Sequence, residues 1–405
     1  MAGIGSKIFN GVANTLIKGR RARAGVFGVR QEKISLRHHQ ALLVEPRTKT
    51  EVGGNLVKEN WLVQNKADPD HFNHYLAHIH HPRNADKGLP VVLLLPGMLC
   101  NGNYFRISPR EKNFRDLNSH YSFANYLAFK GFHVVLANPR FCQWIYARYV
   151  RDQLGVKNYF SNATDFPRLV GDLSFYLDVA LHLTGRASAA VGGFSMGGMV
   201  EMYYLATARV DPRVSHALFM AAPSRFSGER TLLRVLQIYG TVARYLPLQE
   251  YNAASLLADN VPLLKKLMVK LPPEVLSALP MAKDLFNPKE INPETILPFI
   301  RYVLEPMPSP VINYLLNIAS RGEFLDQAGS VNIPAKLSRC KVPALVIGGD
   351  RDGLVSGASN KTLFEAIGSK IKERRTMRGA GHLDLVAGRA FEETAEIVTH
   401  FIKKH

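Results

Sequence analysis

The chain has 405 residues, of which 46% are hydrophobic and 21% charged, and its mean hydropathy is −0.06. This composition excludes disordered, collagen-like and integral-membrane chains, and at about 150 residues per domain it indicates two to three structural units with a sizeable core. A formal net charge of +18 predicts attraction to anionic surfaces, either membrane phospholipid or nucleic acid. Three scattered cysteines are too few for a disulfide framework or a zinc site, so we expect reduced thiols in a reducing compartment.

The first unit in chain order is a basic amphipathic segment at residues 1–35. Residues 1–50 carry ten Lys and Arg against two acidic residues. At about 100° per residue, one side of a helix here is apolar and the other is polar or basic. The apolar side holds Met1, Ile4, Gly5, Ile8, Val12 and Leu16, and the polar side holds Lys7, Asn10, Asn14, Lys18 and Arg21. Three interpretations stay open: a membrane-surface anchor, a helix docked on its own domain, and an organelle transit peptide.

No apolar run approaches the ~18 residues of a membrane-spanning helix, and the N-terminus lacks the apolar stretch and cleavage site of a secretory signal. We therefore expect a cytoplasmic protein. Peripheral contact with an anionic membrane through residues 1–35, and import into an organelle, are left open.

Residues 36–226 and 341–405 have the pattern of one α/β domain in two parts. Leader strands, expected to be antiparallel, are predicted at 42–44, 61–63 and 75–79. From residue 90 onward, short apolar runs alternate with helical patterns, which is typical of a doubly wound, mostly parallel sheet. Its predicted strands are 91–95, 133–137, 189–192, 216–220 and 343–347, and its predicted helices are 123–129, 169–183 and 199–206.

Residues 227–340 interrupt this alternation. Twelve of the 23 prolines lie here, and because proline ends helices we expect several short helices rather than long ones. Leucine and isoleucine recur at helical spacing at 255–271 and 311–318. We interpret this segment as a helical cap over the sheet.

The sequence Gly192-Gly193-Phe194-Ser195-Met196-Gly197-Gly198 contains G-x-S-x-G between a predicted strand and a predicted helix. A strand that turns sharply into a helix strains the serine backbone, and glycines at Gly193 and Gly197 avoid steric clashes there. The motif therefore indicates a nucleophilic Ser195 at the carboxyl edge of the sheet. The alternative is an ordinary serine in a glycine-rich turn.

A serine hydroxyl needs a base, and the base needs an orienting acid. Asp352 and Asp350 both follow the predicted strand 343–347, and His382 lies in a loop of small residues before the last helix. His382 is therefore the candidate base, and the candidate acid is one of the two carboxylates after strand 343–347, Asp352 or Asp350. Asp384 is expected to cap the final helix.

These residues resemble the α/β-hydrolase superfamily from about residue 90 to the C-terminus, where the nucleophile, acid and base occur in this chain order. The resemblance implies an α/β fold with a cap insertion and an oxyanion hole of two backbone N–H groups. The acid loop of the superfamily resembles G-x-x-D followed by a small residue and apolar ones, which implies Asp352 as the acid and leaves Asp350 as the alternative. Met196, which follows the nucleophile, is one expected donor. Met98, in the loop after strand 91–95, is the other; relatives often have His-Gly where this chain has Pro96-Gly97.

Three other signals are given structural interpretations. His74, His78 and His80 alternate along a predicted strand, but no second ligand cluster or acidic partner of recognisable spacing accompanies them, so no metal site is predicted. Cys100 and Cys142 are expected to be small buried residues. Nucleic-acid binding is not expected, because the basic residues have no aromatic residues interleaved with them and form no known binding motif.

The sequence thus favours a serine hydrolase that cleaves carboxylic esters, without cofactor or metal. The leucine-rich cap and the basic N-terminus favour a hydrophobic acyl chain and a small-molecule or lipid ester, as do 103–105, 137–140 and 381–384, which resemble segments of lipases and polyester synthases. Two alternatives are an acyltransferase or thioesterase with the same residues, and a non-catalytic membrane-surface binding protein. The oligomeric state is not predicted.

Overall fold

The structure is a computed structural model, and the fold is described from part of the chain. The described residues are 33–35, 39–43, 48–49, 56–65, 67–70, 72–82, 88, 90–107, 122–142, 145, 164–208, 211–226, 250–251, 285–287, 289–290, 295, 298–299, 302–305 and 307–405. Residues 1–32 of the N-terminal segment and most of the predicted cap, including the helix expected at 255–271, lie outside the described residues, so both stay predictions. Residues 33–35, which were assigned to that segment, form a strand of the sheet.

An 11-stranded sheet forms the centre of the fold, with the order β1-β2-β4-β5-β7-β6-β8-β9-β12-β13 and β3 paired to β4. The strands are β1 (Lys33–Ser35), β2 (His39–Leu43), β3 (Thr48–Lys49), β4 (Val57–Asn65), β5 (Asn73–His80), β6 (Val91–Leu95), β7 (His133–Ala137), β8 (Ala189–Phe194), β9 (Val214–Met220), β12 (Ala344–Gly349) and β13 (Lys372–Met377). A separate two-stranded pair joins β10 (Glu250–Tyr251) to β11 (Met307–Pro308).

Pairing is antiparallel from β1 to β7 and parallel from β7 to β13. The expected doubly wound, mostly parallel core with antiparallel leader strands is therefore confirmed. Because β6 lies between β7 and β8, the chain reverses its winding direction there. Ligands of open α/β sheets bind at the carboxyl ends of the strands beside such a reversal.

Helices cover both faces of the sheet. They are α1 (Phe123–Phe129), α2 (Phe166–Thr184), α3 (Met196–Thr207), α4 (Ser309–Arg321), α5 (Ile333–Lys336), α6 (Gly357–Ala366), α7 (Asp384–Ala387) and α8 (Phe391–Lys404). Short 3₁₀ turns occupy Gly102–Arg106 and Leu337–Arg339. All four helices expected at 123–129, 169–183, 199–206 and 311–318 are present. No helix among these residues is long and apolar enough to cross a membrane.

Side chains alternate between two hydrophobic clusters along the central strands. Val91, Leu93 and Leu95 of β6 pack on the face covered by α2 and α3, whereas Val92 and Leu94 pack on the face covered by α1 and α8. Burial on both faces explains why β6 is a continuous apolar run. The sheet is thus a rigid platform for the loops at its carboxyl edge.

The strand β13 is the main element that the sequence pattern did not predict. Its residues Lys372-Glu373-Arg374-Arg375-Thr376-Met377 are mostly polar, and the middle ones are exposed. Among the described strands it pairs with β12 alone, at the edge of the sheet, so hydrophobic periodicity carries no signal for it.

Candidate active site

Ser195 lies in a strained turn between β8 and α3. Its backbone has φ 53° and ψ −117°, and its N–H donates to the carbonyl oxygen of Met220 (2.8 Å). A Cβ at Gly193 would overlap the backbone of Gly198, and a Cβ at Gly197 would overlap the carbonyl oxygen of Leu95. Glycine is therefore sterically required on both sides of the serine, as the motif predicts. Strain of this kind persists only where the surrounding structure enforces it.

The hydroxyl of Ser195 does not cap α3, although the residue occupies the N-cap position. It lies 2.9 Å from Nε2 of His382, and Nδ1 of His382 lies 2.9 Å from Oδ2 of Asp352. All three residues are buried, with Ser195 9% exposed, His382 3% and Asp352 7%. The structure thus brings together the three side chains that the sequence nominated, in hydrogen-bonding order. The amino end of α3 adds a positive electrostatic potential beside the hydroxyl.

Backbone donors orient the carboxylate of Asp352. Its Oδ1 accepts hydrogen bonds from the N–H groups of Leu354 and Val355, both at 2.8 Å, which leaves Oδ2 for His382. Asp350, the alternative acid, points elsewhere and accepts a hydrogen bond from the N–H of Gly379 (2.7 Å). The geometry therefore favours Asp352 over Asp350 as the partner of the imidazole.

The loop that carries His382 is fixed by residues distant in sequence. Oδ2 of Asp384 accepts from the N–H groups of Gly381 and Asn287, both at 2.7 Å. The hydroxyl of Tyr104 donates to the carbonyl oxygen of Leu383 (3.1 Å). These contacts join the loop of His382 to two other segments of the chain, those of Asn287 and Tyr104.

The expected role of Asp384 as the cap of the final helix was wrong. The final helix α8 begins at Phe391, whereas Asp384 begins the short helix α7 and turns its carboxylate back into the loop of His382. Because Asp384 precedes the final helix in the sequence, its position predicted a cap. In the structure its carboxylate instead accepts a hydrogen bond from the backbone N–H of Asn287, 97 residues away. Burial raises the pKa of Asp384 to about 7, although the two backbone donors oppose this shift.

Met98 and Met196, the expected oxyanion donors, line one cleft together with Ser195 and His382. The remaining walls of that cleft are apolar and consist of Met199, Pro223, Phe226, Leu315, Leu354 and Val355. Met98 therefore lines the same cleft as the nucleophile. Its role as a donor, and that of Met196, stay predictions.

The loop of Met98 is held by residues that the sequence analysis did not single out. Glu305 is fully buried, and its carboxylate accepts hydrogen bonds from Nδ2 of Asn101 (2.7 Å) and from the N–H of Ile145 (3.2 Å). The main chains are also joined, since Asn101 N–H donates to the carbonyl oxygen of Val303 and Glu305 N–H donates to that of Leu99. The segment 302–305 therefore braces the loop after β6, although it belongs in sequence to the predicted cap.

Cys100 and Cys142 are both buried and free, as expected. Burial, reinforced by Glu305, raises the pKa of each thiol far above its usual range, so neither forms a nucleophilic thiolate near neutral pH. The histidines, in contrast, have acidic neighbours that spacing did not reveal. His78 faces Glu59 on β4, and His74 faces Asp172 on α2.

The sequence profile of the α/β-hydrolase fold family matches residues 90–388. Comparison with curated proteins gives no significant match. Among solved structures, the chain is similar to a presumed lipase from Sulfolobus solfataricus, with a TM-score of 0.60, 16% identity, and coverage of 90% of this chain and 99% of that chain.

Two further solved structures are similar. The monoacylglycerol lipase of Paleococcus ferrophilus has a TM-score of 0.50 and 16% identity, with coverage of 82% of this chain and 99% of that chain. A soluble variant of monoglyceride lipase from Saccharomyces cerevisiae, in complex with a substrate analogue, has a TM-score of 0.52 and 13% identity, with coverage of 82% and 92%. At these identities the structural likeness shows the fold alone, whereas the family profile spans most of the chain. The chain therefore belongs to the α/β-hydrolase fold family.

Proposed function

We propose that this chain is a serine hydrolase that cleaves carboxylic esters with a hydrophobic acyl chain. The observation that carries the proposal is the continuous hydrogen-bonded path from the hydroxyl of Ser195 through the imidazole of His382 to the carboxylate of Asp352. Such a path converts a weak hydroxyl nucleophile into one that attacks a carbonyl carbon.

In the acylation step, Oγ of Ser195 attacks the ester carbonyl while Nε2 of His382 accepts the hydroxyl proton. Asp352 holds Nδ1–H and stabilises the imidazolium, and the N–H groups of Met196 and Met98 donate to the oxyanion. The bond to the leaving alcohol breaks as the imidazolium returns its proton to that oxygen. Water then attacks the acyl-enzyme with His382 as base, which releases the acid and restores Ser195.

The substrate class is supported by the walls of the cleft. Met98, Met199, Phe226 and Leu315 offer apolar surface within the same cleft as the nucleophile, and no Asp, Glu, Lys or Arg is among the described residues that line it. An acyl chain placed there gains roughly 0.8 kcal/mol per buried CH₂ group. The similar structures that are monoacylglycerol lipases are consistent with an ester of this kind.

The test is turnover of p-nitrophenyl esters of increasing acyl length by the wild type and four variants. Because 0.8 kcal/mol corresponds to about fourfold, we expect kcat/KM to rise about fourfold for each additional buried CH₂ group until the cleft is filled. Ser195→Ala, His382→Ala and Asp352→Asn should lower kcat by roughly 10³-fold or more. Asp350→Asn is the matched control and should stay within about tenfold of the wild type, because the carboxylate of Asp350 bonds to the N–H of Gly379 while that of Asp352 bonds to His382.

Labelling by a fluorophosphonate probe separates the other functions. A binding protein without turnover would neither be labelled nor release p-nitrophenol. An acyltransferase would be labelled at Ser195 and would release p-nitrophenol faster when an alcohol or thiol acceptor is added, because the acyl-enzyme is shared. Equal activity of the wild type and His382→Ala would contradict the proposed base.

A further inference from the structure

A cluster of histidines lies at the end of the sheet opposite to Ser195. His78 and His80 point to the same face of β5, and Glu59 on β4 is the direct antiparallel partner of His78. His133 begins β7, at the amino end of a parallel strand, whereas the catalytic loops follow the carboxyl ends. Three adjacent strands therefore bring these four side chains to one place.

The distances within this cluster are short. Nδ1 of His78 lies 3.3 Å from Oε2 of Glu59, and Nε2 of His78 lies 3.1 Å from Nδ1 of His133. The rings of His78 and His80 stack with their centroids 4.5 Å apart. One ligand atom from each of Glu59, His78 and His80 lies within 4.8 Å of the other two.

The cluster is enclosed by the protein. Glu59 is 7% exposed, and His78 and His133 are each 3% exposed, whereas His80 is half-buried. The imidazoles and the carboxylate of this buried cluster carry nitrogen and oxygen atoms that can donate lone pairs to a metal ion. Two imidazoles and a carboxylate are the ligand types that favour zinc and its neighbours in the first transition series.

The second nitrogen of His78 supplies a further argument. A metal-ligating histidine nearly always places its other ring nitrogen in a hydrogen bond, which fixes the tautomer and the ring orientation. If Nδ1 of His78 binds the ion beside Glu59, its Nε2–H donates to Nδ1 of His133 at the observed 3.1 Å. The position of His133 therefore matches that of an orienting partner.

A second group of potential ligands, Asp68, His74 and Asp172, is not proposed as a metal site. The guanidinium of Arg140 already binds both carboxylates, so the negative charge is neutralised by a cation of the chain itself.

We propose that Glu59, His78 and His80 bind one divalent transition-metal ion of the zinc class, with His133 as the hydrogen-bond acceptor that orients His78. Three ligands from β4 and β5 would tie two antiparallel strands together at the end of the sheet far from the nucleophile. The site is therefore independent of ester hydrolysis and acts on stability.

The test uses full-length protein that has been freed of metal with a chelator and then returned to chelator-free buffer. Co²⁺ is titrated while its visible ligand-field absorption is recorded, and Zn²⁺ is then added to displace it. The wild type should bind one equivalent of Co²⁺ at saturation, and excess Zn²⁺ should abolish the absorption. Zn²⁺ should also raise the Tm of the wild type, because the ion binds only the folded state.

Three variants decide the assignment. His80→Gln, at a half-buried position where folding is least at risk, should lose the saturable absorption and the Zn²⁺-dependent rise in Tm. His133→Gln should still bind, but about 10- to 100-fold more weakly, as expected for an orienting partner. His182→Gln, at an exposed histidine of α2, should bind as the wild type does.

Circular dichroism and the metal-free Tm show whether each variant is folded. The proposal is overturned if the folded wild type shows no saturable Co²⁺ absorption, or if folded His80→Gln retains it. Loss of the single equivalent in His182→Gln instead of in His80→Gln would assign the binding to a surface histidine and would also overturn the proposal.

Discussion

Glu201 is the residue that ties the nucleophile turn to the sheet. It projects from α3 and is fully buried. Its Oε2 accepts the N–H of Gly193 on β8 at 2.9 Å, and its Oε1 accepts the N–H of Leu218 on β9 at 3.1 Å. Burial raises the pKa of Glu201 well above its usual range, although both backbone donors oppose the shift. One carboxyl group thus satisfies two backbone donors inside the core.

Replacement of Glu201 should lower stability in graded steps. A buried N–H group without an acceptor costs about 1–3 kcal/mol. Glu201→Ala removes both acceptors and should lower the free energy of unfolding by about 2–6 kcal/mol, whereas Glu201→Gln keeps one oxygen and should cost about half as much. Urea unfolding of the three proteins measures these differences.

The control for Glu201 is Glu365 on α6, which is exposed and forms only a surface ion pair with Lys361. Glu365→Ala should change the free energy of unfolding by less than about 0.5 kcal/mol. A loss for Glu201→Ala as small as that of this control would mean that the two backbone donors find other partners.

At the scale of elements, the loop between β13 and α7 carries His382 and is held by a buried carboxyl group. Asp384 is fully buried, and its raised pKa of about 7 arises first from burial, with Glu290 and Asp352 adding to it. In the unfolded chain an aspartate titrates near pH 4. Between these two values the folded protein binds a proton that the unfolded chain has lost.

This difference predicts that stability falls with rising pH. From about pH 4 to pH 7 the unfolded state binds fewer protons than the folded state at this site, so the free energy of unfolding decreases as pH rises. Asp384→Asn keeps an oxygen for the donors of Gly381 and Asn287 but removes the titration. The variant should therefore gain a few kcal/mol relative to the wild type between pH 4 and pH 8.

Urea unfolding of both proteins at several pH values tests this expectation, because titrating groups that do not interact with Asp384 cancel in the difference between them. The stability difference should be small near pH 4 and should grow in favour of the variant up to about pH 8. A difference that does not change with pH would show that Asp384 titrates normally in the folded protein.

The elements around the site differ in how far the sequence predicts them. The turn of Ser195 is a local device, since strand, strained serine and helix occur within a few residues, and the motif identifies it directly. Asp352 and His382 follow from their chain order and from the rule that loops at the carboxyl ends of parallel strands meet. The role of Asp384 was predicted wrongly, because its partner Asn287 lies about 100 residues away. Glu305 was not singled out at all, because its partner Asn101 lies about 200 residues away.

At the scale of the whole molecule, strand pairing brings together residues whose contact the sequence does not predict. The sequence pattern identified the alternating histidines of β5. Glu59, however, is 19 residues from His78 and becomes its neighbour through the antiparallel pairing of β4 with β5. The segments 285–287 and 302–305 similarly belong in sequence to the predicted cap, yet bond to loops of the sheet. The division of the chain into core and cap stays a prediction, because most of residues 227–284 lie outside the described part.

Charge is distributed unevenly over the molecule, and the excess of bases in residues 1–50 suggests a function for the N-terminal segment. Ten of the 51 basic residues occur there against two of the 33 acidic ones. An anionic membrane attracts each nearby Lys or Arg by about 1 kcal/mol, and an amphipathic helix adds the burial of its apolar side. An ester hydrolase with a hydrophobic substrate would gain access to it at such a surface.

Vesicle flotation tests this surface attachment with two variants of the full chain. In one, Lys7, Lys18, Arg20, Arg21 and Arg23 are replaced by Gln; in the other, Lys361, Lys370, Arg374, Arg375 and Arg378 are replaced by Gln, so that both lose the same charge. The first variant should lose up to about 5 kcal/mol of binding to vesicles containing phosphatidylserine, and the second should bind nearly as the wild type does. High salt should release the wild type, because exposed charges are screened. An equal loss of flotation in the two variants would assign the attraction to net charge. No loss in either variant would contradict membrane attachment and would favour a helix docked on its own domain or a transit peptide.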